Sequence, residues 1–167
     1  MTTDGAPPQH AELVELTAPQ RHYPGPPSYG VTVSDPRTAL RRLQGAARSE
    51  LASLCQRHRV ELLVAFGSAA RDGDGTPHDL DLAVRFADSN PDVLGFLDSL
   101  SQVTNTSVID LMNLATAGPV AKERSLVGSI LLFEQAPGTL AQAQIAAMME
   151  RMDTDWLRRL DLELMAA

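Results

Sequence analysis

Four short apolar segments constrain the fold of this chain more than any other feature of its sequence. Each has the length of a strand: 60–66, which is ended by a glycine, 80–86, 107–114 and 129–133. Around them, apolar residues recur at helical spacing, which predicts helices over 35–57, 91–102, 119–127 and 139–165. Strands that alternate with helices predict an α/β or α+β fold, in which helices flank a sheet.

The first 35 residues differ in composition from the rest. Seven of the eleven prolines lie within 1–36. Proline removes a backbone donor and biases its predecessor away from helix, so we expect a flexible N-terminal arm over 1–35. Asp35 followed by Pro36 is a typical helix start. We therefore expect one folded domain over 36–167, which includes a C-terminal helix over 139–165.

Composition excludes several classes of protein. The net charge of −7 does not favour nucleic-acid binding, which depends on Lys and Arg neutralising phosphates. A single cysteine, Cys55, excludes an internal disulfide and suits a reducing compartment. No apolar run approaches the ~18 residues of a membrane helix, and the N-terminus does not read as a signal peptide. We expect a cytoplasmic protein without a membrane partner.

Three aspartates predict a metal site. Side chains alternate across a strand, so Asp79 and Asp81 point to one face while Leu80 points to the core. Asp110 lies in the third predicted strand, where a carboxylate among apolar neighbours is costly unless it is paired or binds metal. An isolated Asp-x-Asp motif more often lies on a solvated edge of a sheet than in a metal site. Together, the three carboxylates form an oxygen-only set suited to Mg²⁺ or Mn²⁺.

Gly67 and Ser68 follow the first predicted strand and suggest a phosphate site. Glycine allows close approach of a ligand to the backbone. A brief helical turn predicted over 68–71 would present amides to phosphate, although a Gly-Ser pair alone usually marks only a turn. A divalent metal beside a phosphate cradle is typical of phosphoryl or nucleotidyl transfer.

The segment AFGSAARDGDGTPHDLDLAV (65–84) resembles the signature of the DNA polymerase β-like nucleotidyltransferases. With the downstream IDLMNLATAGPVAKERSLVGSILLFE (109–134), it is similar to the minimal nucleotidyltransferases (MNT), a group that includes antitoxins paired with HEPN-type toxins. The resemblance covers about residues 38–135. It implies a mixed sheet flanked by helices, with a nucleoside triphosphate, ATP for example, and Mg²⁺ at one edge.

The resemblance also implies roles for individual residues. Asp79 and Asp81 would hold two Mg²⁺ ions, and Asp110 would bind the catalytic ion and accept the proton of the acceptor hydroxyl. Gly67 and Ser68 would cradle the β- and γ-phosphates. Arg71 would contact phosphate or acceptor, with an ordinary solvated arginine as the alternative.

Three functions remain open from the sequence. In the first, the chain is an antitoxin of a type VII toxin-antitoxin pair that transfers AMP from ATP to a tyrosine of a HEPN-type toxin, as the resemblance implies. In the second, a nucleotidyltransferase modifies a small hydroxylated molecule such as an antibiotic. In the third, a non-catalytic antitoxin only binds its toxin. The final helix carries an apolar stripe, including Ile145, Met148, Met152 and Trp156, that either binds a partner or packs on its own domain.

Overall fold

The structure, a computed structural model, describes residues 34–45, 47–71 and 75–165, with 155–165 described as backbone. The predicted N-terminal arm therefore lies outside the described residues except for Ser34 and Asp35. The elements in chain order are α1 (Pro36–Gln44), α2 (Arg48–Arg57), β1 (Val60–Ala65), β2 (Leu80–Phe86), α3 (Val93–Thr104), β3 (Ile109–Asn113), α4 (Pro119–Leu126), β4 (Ile130–Glu134) and α5 (Thr139–Met165). None of these helices combines the length and apolarity needed to cross a membrane.

The four strands form one mixed sheet with the order β3-β2-β1-β4. β1 pairs in antiparallel fashion with both β2 and β4, whereas β2 and β3 are parallel. The connection between the two parallel strands contains α3. The predicted strands and the predicted fold class, a mixed sheet flanked by helices with a C-terminal helix, are thus confirmed.

Helices cover both faces of the sheet because β1 and β2 together place buried apolar residues on each face. Leu63 and Leu82 point to one face and pack with buried residues of α1, α2 and α3. Leu62 and Ala83 point to the other face and pack with buried residues of α4 and α5. The site described below lies where β2 begins, at the edge of this second face.

The helix predicted over 35–57 is wrong as a single element, because Gly45 interrupts it. Glycine is a poor helix former, and Gly45 has φ −113° and ψ −111°, outside the helical region. Its N–H still donates to the carbonyl oxygens of Arg41 and Arg42, which closes α1. The apolar periodicity misled because Leu43 of α1 and Leu51 of α2 are both buried in one core.

The sequence left open whether the apolar stripe of the final helix packs on its own domain, and in the structure α5 packs through a different face. Ile145, Met148 and Met152 are exposed, while Ala143 and Ala147 are buried against the domain. Small side chains allow α5 to approach its neighbours closely. On α3, Phe96 is fully buried, whereas Leu94 is 78% exposed.

Candidate active site

The carboxylates of Asp79, Asp81 and Asp110 converge at one edge of the sheet. One oxygen of each lies within 4.8 Å of the oxygens of the other two. Asp81 and Asp110 are direct partners in the parallel β2–β3 register, which holds their side chains on the same face. Asp79 lies two residues before Asp81, so the alternation of an extended chain directs its side chain to that face as well.

The apolar neighbours of these aspartates fix their direction. Leu80 and Leu82 are fully buried on the opposite face of β2. A slip of one residue in the register would bury the carboxylates and expose the leucines, at a large cost in free energy. The core therefore holds the carboxylates toward the surface, with Asp79 and Asp81 partly buried and Asp110 exposed.

The electrostatic environment of Asp81 is unfavourable for a carboxylate. Burial raises its pKa above the ordinary value, and the negative charges of Asp79 and Asp110 raise it further. A hydrogen bond from the Ser68 backbone N–H and the positive charge of Arg71 oppose that rise without cancelling it. A divalent cation would remove this repulsion, and three carboxylate oxygens are ligands that Mg²⁺ accepts. The residues present therefore fit a magnesium site.

Gly67 makes room for Asp81. Its φ is +72°, and a Cβ at this position would lie 1.9 Å from Oδ2 of Asp81. From the sequence, this glycine was expected to allow the approach of a ligand, whereas in the structure a carboxylate of the site itself occupies the space. Where a brief helical turn was predicted over 68–71, the chain forms a turn over 67–70 that is not continued into a helix and begins at the left-handed backbone of Gly67.

Ser68 and Arg71 flank the carboxylates in different ways. The N–H of Ser68 hydrogen-bonds to Asp81, and its exposed position leaves the side chain accessible. Arg71 is exposed and close enough to Asp81 to lower its pKa. The roles of Gly67, Ser68 and Arg71 toward phosphate stay predictions.

Two arginines of α1 were not predicted from the sequence as part of this region. Arg37 and Arg41 line a pocket together with Arg71, Ala69 and Ala70. Their spacing of four residues on a helix places them on one face, which is the signal that could have identified them. Their position beside the turn after β1 depends on a contact between distant segments, which local spacing does not predict.

Comparison with protein families matches residues 49–137, more than half of the chain, to the family model described as polymerase beta, nucleotidyltransferase. The match spans all four strands and the three aspartates. Comparison with curated protein sequences finds no match.

Solved structures share the fold at low sequence identity. A toxin-antitoxin crystal structure with AMP-PNP has a TM-score of 0.56 and 16% identity, over 73% of this chain and 100% of that one. A structure of a tri-AMPylated Shewanella oneidensis HEPN toxin in complex with an MNT antitoxin has a TM-score of 0.54 and 16% identity. The match covers 72% of this chain and 96% of that one. A toxin-antitoxin MntA-HepT crystal structure has a TM-score of 0.54 and 15% identity, over 72% of this chain and 97% of that one.

The family match and the fold agree with the geometry of the three carboxylates. The predicted membership of the polymerase β-like superfamily is confirmed. The chain belongs to the polymerase beta nucleotidyltransferase family.

Proposed function

We propose that this chain is a cytoplasmic antitoxin of a type VII toxin-antitoxin pair, and that it transfers AMP from ATP to a tyrosine of a HEPN-type toxin in a Mg²⁺-dependent reaction. The observation that carries this proposal is the convergence of Asp79, Asp81 and Asp110 beside the turn that begins at Gly67. Three converging carboxylates in a nucleotidyltransferase domain are groups that would hold a divalent metal for catalysis.

Two Mg²⁺ ions would be held by Asp79, Asp81 and Asp110, and they would neutralise charge on the triphosphate and acidify the acceptor hydroxyl. Asp81 is oriented for this role by the Ser68 N–H and by its register partner Asp110. Such fixed orientation lowers the entropic cost of assembling the reactants.

Asp110 is the most accessible of the three carboxylates and would accept the proton of the acceptor hydroxyl. The hydroxyl oxygen forms a bond to the α-phosphorus of ATP while the bond from that phosphorus to the bridging oxygen of the β-phosphate breaks. Pyrophosphate leaves, and AMP stays on the acceptor through a phosphodiester. Gly67 and Ser68 would cradle the two phosphates that depart.

A protein acceptor is supported by the surface of the chain and by the structures that share its fold. One of those structures contains a tri-AMPylated HEPN toxin bound to an MNT antitoxin. In this chain, a patch of exposed apolar side chains on α5, the α5 patch, consists of Ile145, Met148, Met149 and Met152. Methionine-rich surfaces suit protein partners, whereas a net charge of −7 does not favour RNA.

Intact mass spectrometry tests the proposal. We expect incubation of the protein with the product of its neighbouring gene, ATP and Mg²⁺ to add ~329 Da per AMP to the neighbour, as nucleotidyl transfer requires. Asp110→Ala is expected to abolish the transfer. Asp98→Ala, which removes an exposed aspartate on α3, is the matched control and is expected to transfer normally.

Two other outcomes would replace the proposal. An unmodified neighbour together with a modified aminoglycoside would favour an enzyme that acts on small hydroxylated molecules. Tight binding of the neighbour without any added mass would favour a non-catalytic antitoxin.

A further inference from the structure

β3 forms one of the two outer strands of the sheet, and it carries Asp110 of the candidate active site. Among the residues that the structure describes, β3 pairs with β2 alone. The other side of this strand, which we call the outer edge of β3, therefore faces no described strand. A row of backbone N–H and C=O groups on such an edge is a template to which a further strand can pair.

A hydrogen bond between β2 and β3 shows which backbone groups point to the outer edge. The N–H of Leu80 donates to the carbonyl oxygen of Val108 at 2.9 Å. Successive peptide units of a strand turn to opposite sides, so the even-numbered residues of β3 direct their N–H and C=O groups to β2. The N–H and C=O groups of Ile109 and Leu111 consequently point to the outer edge.

The two outer strands of the sheet differ in how they are protected against strand addition. The pairing of β4 with β1 is irregular between Leu63 and Val64, and such irregularities disrupt an edge. The register of β3 with β2 is regular from Ile109 to Asn113. β3 also contains no proline and no basic residue, and its one charged side chain is Asp110 of the site. The outer edge of β3 therefore lacks the usual features that prevent pairing.

Apolar side chains flank the carboxylate of Asp110 along this strand. Val108, Asp110 and Met112 share one face by alternation. Val108 is 43% exposed, and Met112 is half-buried against the core under α4 and α5. The intervening Ile109 and Leu111 pack against the opposite core. A carboxylate between two accessible apolar side chains suits a residue with an apolar body and a polar end, such as tyrosine.

We infer that the outer edge of β3 binds an extended segment of the partner protein as an added strand, and that the residue of this segment opposite Asp110 is the acceptor. Main-chain hydrogen bonds supply the affinity in such a complex. Opposed residues of paired strands have Cβ atoms about 5 Å apart on one face. A tyrosine opposite Asp110 therefore presents its hydroxyl on the face from which the carboxylates project, with its ring within reach of Val108 and Met112. The assignment of this residue as the acceptor rests on the proposed function, whereas the strand site itself does not.

The charge of the site favours a different protein over a second copy of this chain. Two copies paired through β3 would bring two sets of Asp79, Asp81 and Asp110 close to each other. Like charges at that separation repel, and the net charge of −7 on each copy acts in the same direction. An extended segment of a partner without acidic residues beside its tyrosine avoids this cost.

Amide hydrogen exchange of the full chain, measured by NMR spectroscopy with and without the product of the neighbouring gene, tests the strand site without requiring catalysis. In the protein alone, the amides of Ile109 and Leu111 are expected to exchange rapidly, because hydrogen-bonded amides are the protected ones. On addition of the neighbour, we expect their exchange to slow by about ten-fold or more. The amides of Asp110 and Met112 are the internal control, since they already face β2 and are expected to change less.

N-methylated peptides supply a second measurement that leaves the protein unchanged. Tandem mass spectrometry identifies the tyrosine that receives AMP, and a short synthetic peptide spanning it is offered as the acceptor. Methylation of a peptide amide that faces β3 is expected to lower kcat/KM by about ten-fold or more, because a backbone hydrogen bond is lost. Methylation of the next amide along is the matched control and is expected to have little effect. Alternation with a period of two residues is the signature of a paired strand.

The outcomes separate this inference from the proposed function. Transfer of AMP to the neighbour with unchanged exchange at Ile109 and Leu111, or with no alternation among the methylated peptides, would overturn the inference and leave the proposed function in place. Protection of these amides without any added AMP would support the strand site and reject the proposed function. A neighbour that does not bind would overturn both. Self-association in sedimentation, with protection of the same amides in the protein alone, would assign the edge to a second copy and overturn the inference.

Discussion

The carboxylate of Asp81 lies where a side chain on residue 67 would be. A Cβ on Gly67 would approach Oδ2 of Asp81 to 1.9 Å, and the backbone of Gly67 has a positive φ of +72°. Two separate requirements, space and backbone conformation, therefore act at one position. They couple the turn after β1 to the first residues of β2.

We expect Gly67→Ala to lower stability and to abolish nucleotide transfer. The strained backbone alone costs about 1 kcal/mol of folding free energy, and the clash displaces Asp81 from the other carboxylates. Gly128→Ala is the matched control, because Gly128 has φ +74° but a Cβ there would meet no atom within 4 Å. Denaturant unfolding is expected to show a loss in both variants, whereas transfer is expected to fail only in Gly67→Ala. Normal transfer by Gly67→Ala would contradict the coupling.

Removal of one carboxylate is expected to stabilise the metal-free protein. The charges of Asp79 and Asp110 act unfavourably on Asp81 and raise its pKa, so Asp81→Asn relieves repulsion while an amide oxygen can still accept from Ser68. The site is partly exposed, so we expect a gain of less than about 1 kcal/mol, seen as a rise in melting temperature of a few degrees at most.

Mg²⁺ is expected to reverse the order of the two melting temperatures, so that the wild-type protein melts at a higher temperature than Asp81→Asn. Wild-type melting temperature is expected to rise with Mg²⁺ by mass action, and Asp81→Asn is expected to lose most of that rise. Transfer by this variant is expected to fall on the order of a thousand-fold, because several kcal/mol of transition-state stabilisation are lost. A wild-type melting temperature that does not respond to Mg²⁺ would argue against the metal site.

Cys55 is expected to be unreactive in the folded protein. It is buried in the core, and burial raises the pKa of its thiol to about 12. The thiolate is the reactive form, so almost none is present at about pH 8. We expect a disulfide reagent such as DTNB to label the native protein only at the rate of its unfolding, and to label it at once in denaturant. Rapid labelling without denaturant would show that α2 opens readily.

The carboxylate cluster could be predicted from the sequence because it depends largely on local features of the strands. Alternation along β2 relates Asp79 to Asp81, and buried neighbours such as Leu80 identify the face that must point inward. Asp110, an aspartate among the apolar residues of the next strand, is costly at that position unless a cation or a partner offsets its charge. The register that pairs Asp110 with Asp81 supplied the remaining contact.

Other features depend on packing that periodicity does not encode. The pairing of β4 with β1 joins strands that are far apart in the sequence. The sequence also left open whether the apolar stripe with Met148 packs on its own domain or binds a partner, because periodicity does not show that the small residue Ala147 is the one buried against the domain. The approach of Arg41 to the turn at Arg71 is a contact of the same long-range kind.

The α5 patch is the last feature that a variant can test. Ile145, Met148, Met149 and Met152 recur at intervals of three and four residues, so they share one face of the helix, and Met152 is 75% exposed. α5 packs on the domain through its buried residues Ala143 and Ala147 and also pairs with α4 through Lys122 and Glu150, so the helix itself does not depend on the exposed patch. If the patch binds the partner, a charge there removes apolar contact from the interface.

We expect Met152→Glu to weaken binding of the neighbouring protein by about ten-fold or more, the usual cost of losing a central apolar contact. ATP binding and melting temperature are expected to stay unchanged, since the side chain is exposed. Leu94→Glu is the matched control, because Leu94 is equally apolar and 78% exposed but lies on α3. Equal partner affinity in the two variants, measured by calorimetry, would place the docking surface elsewhere on the domain.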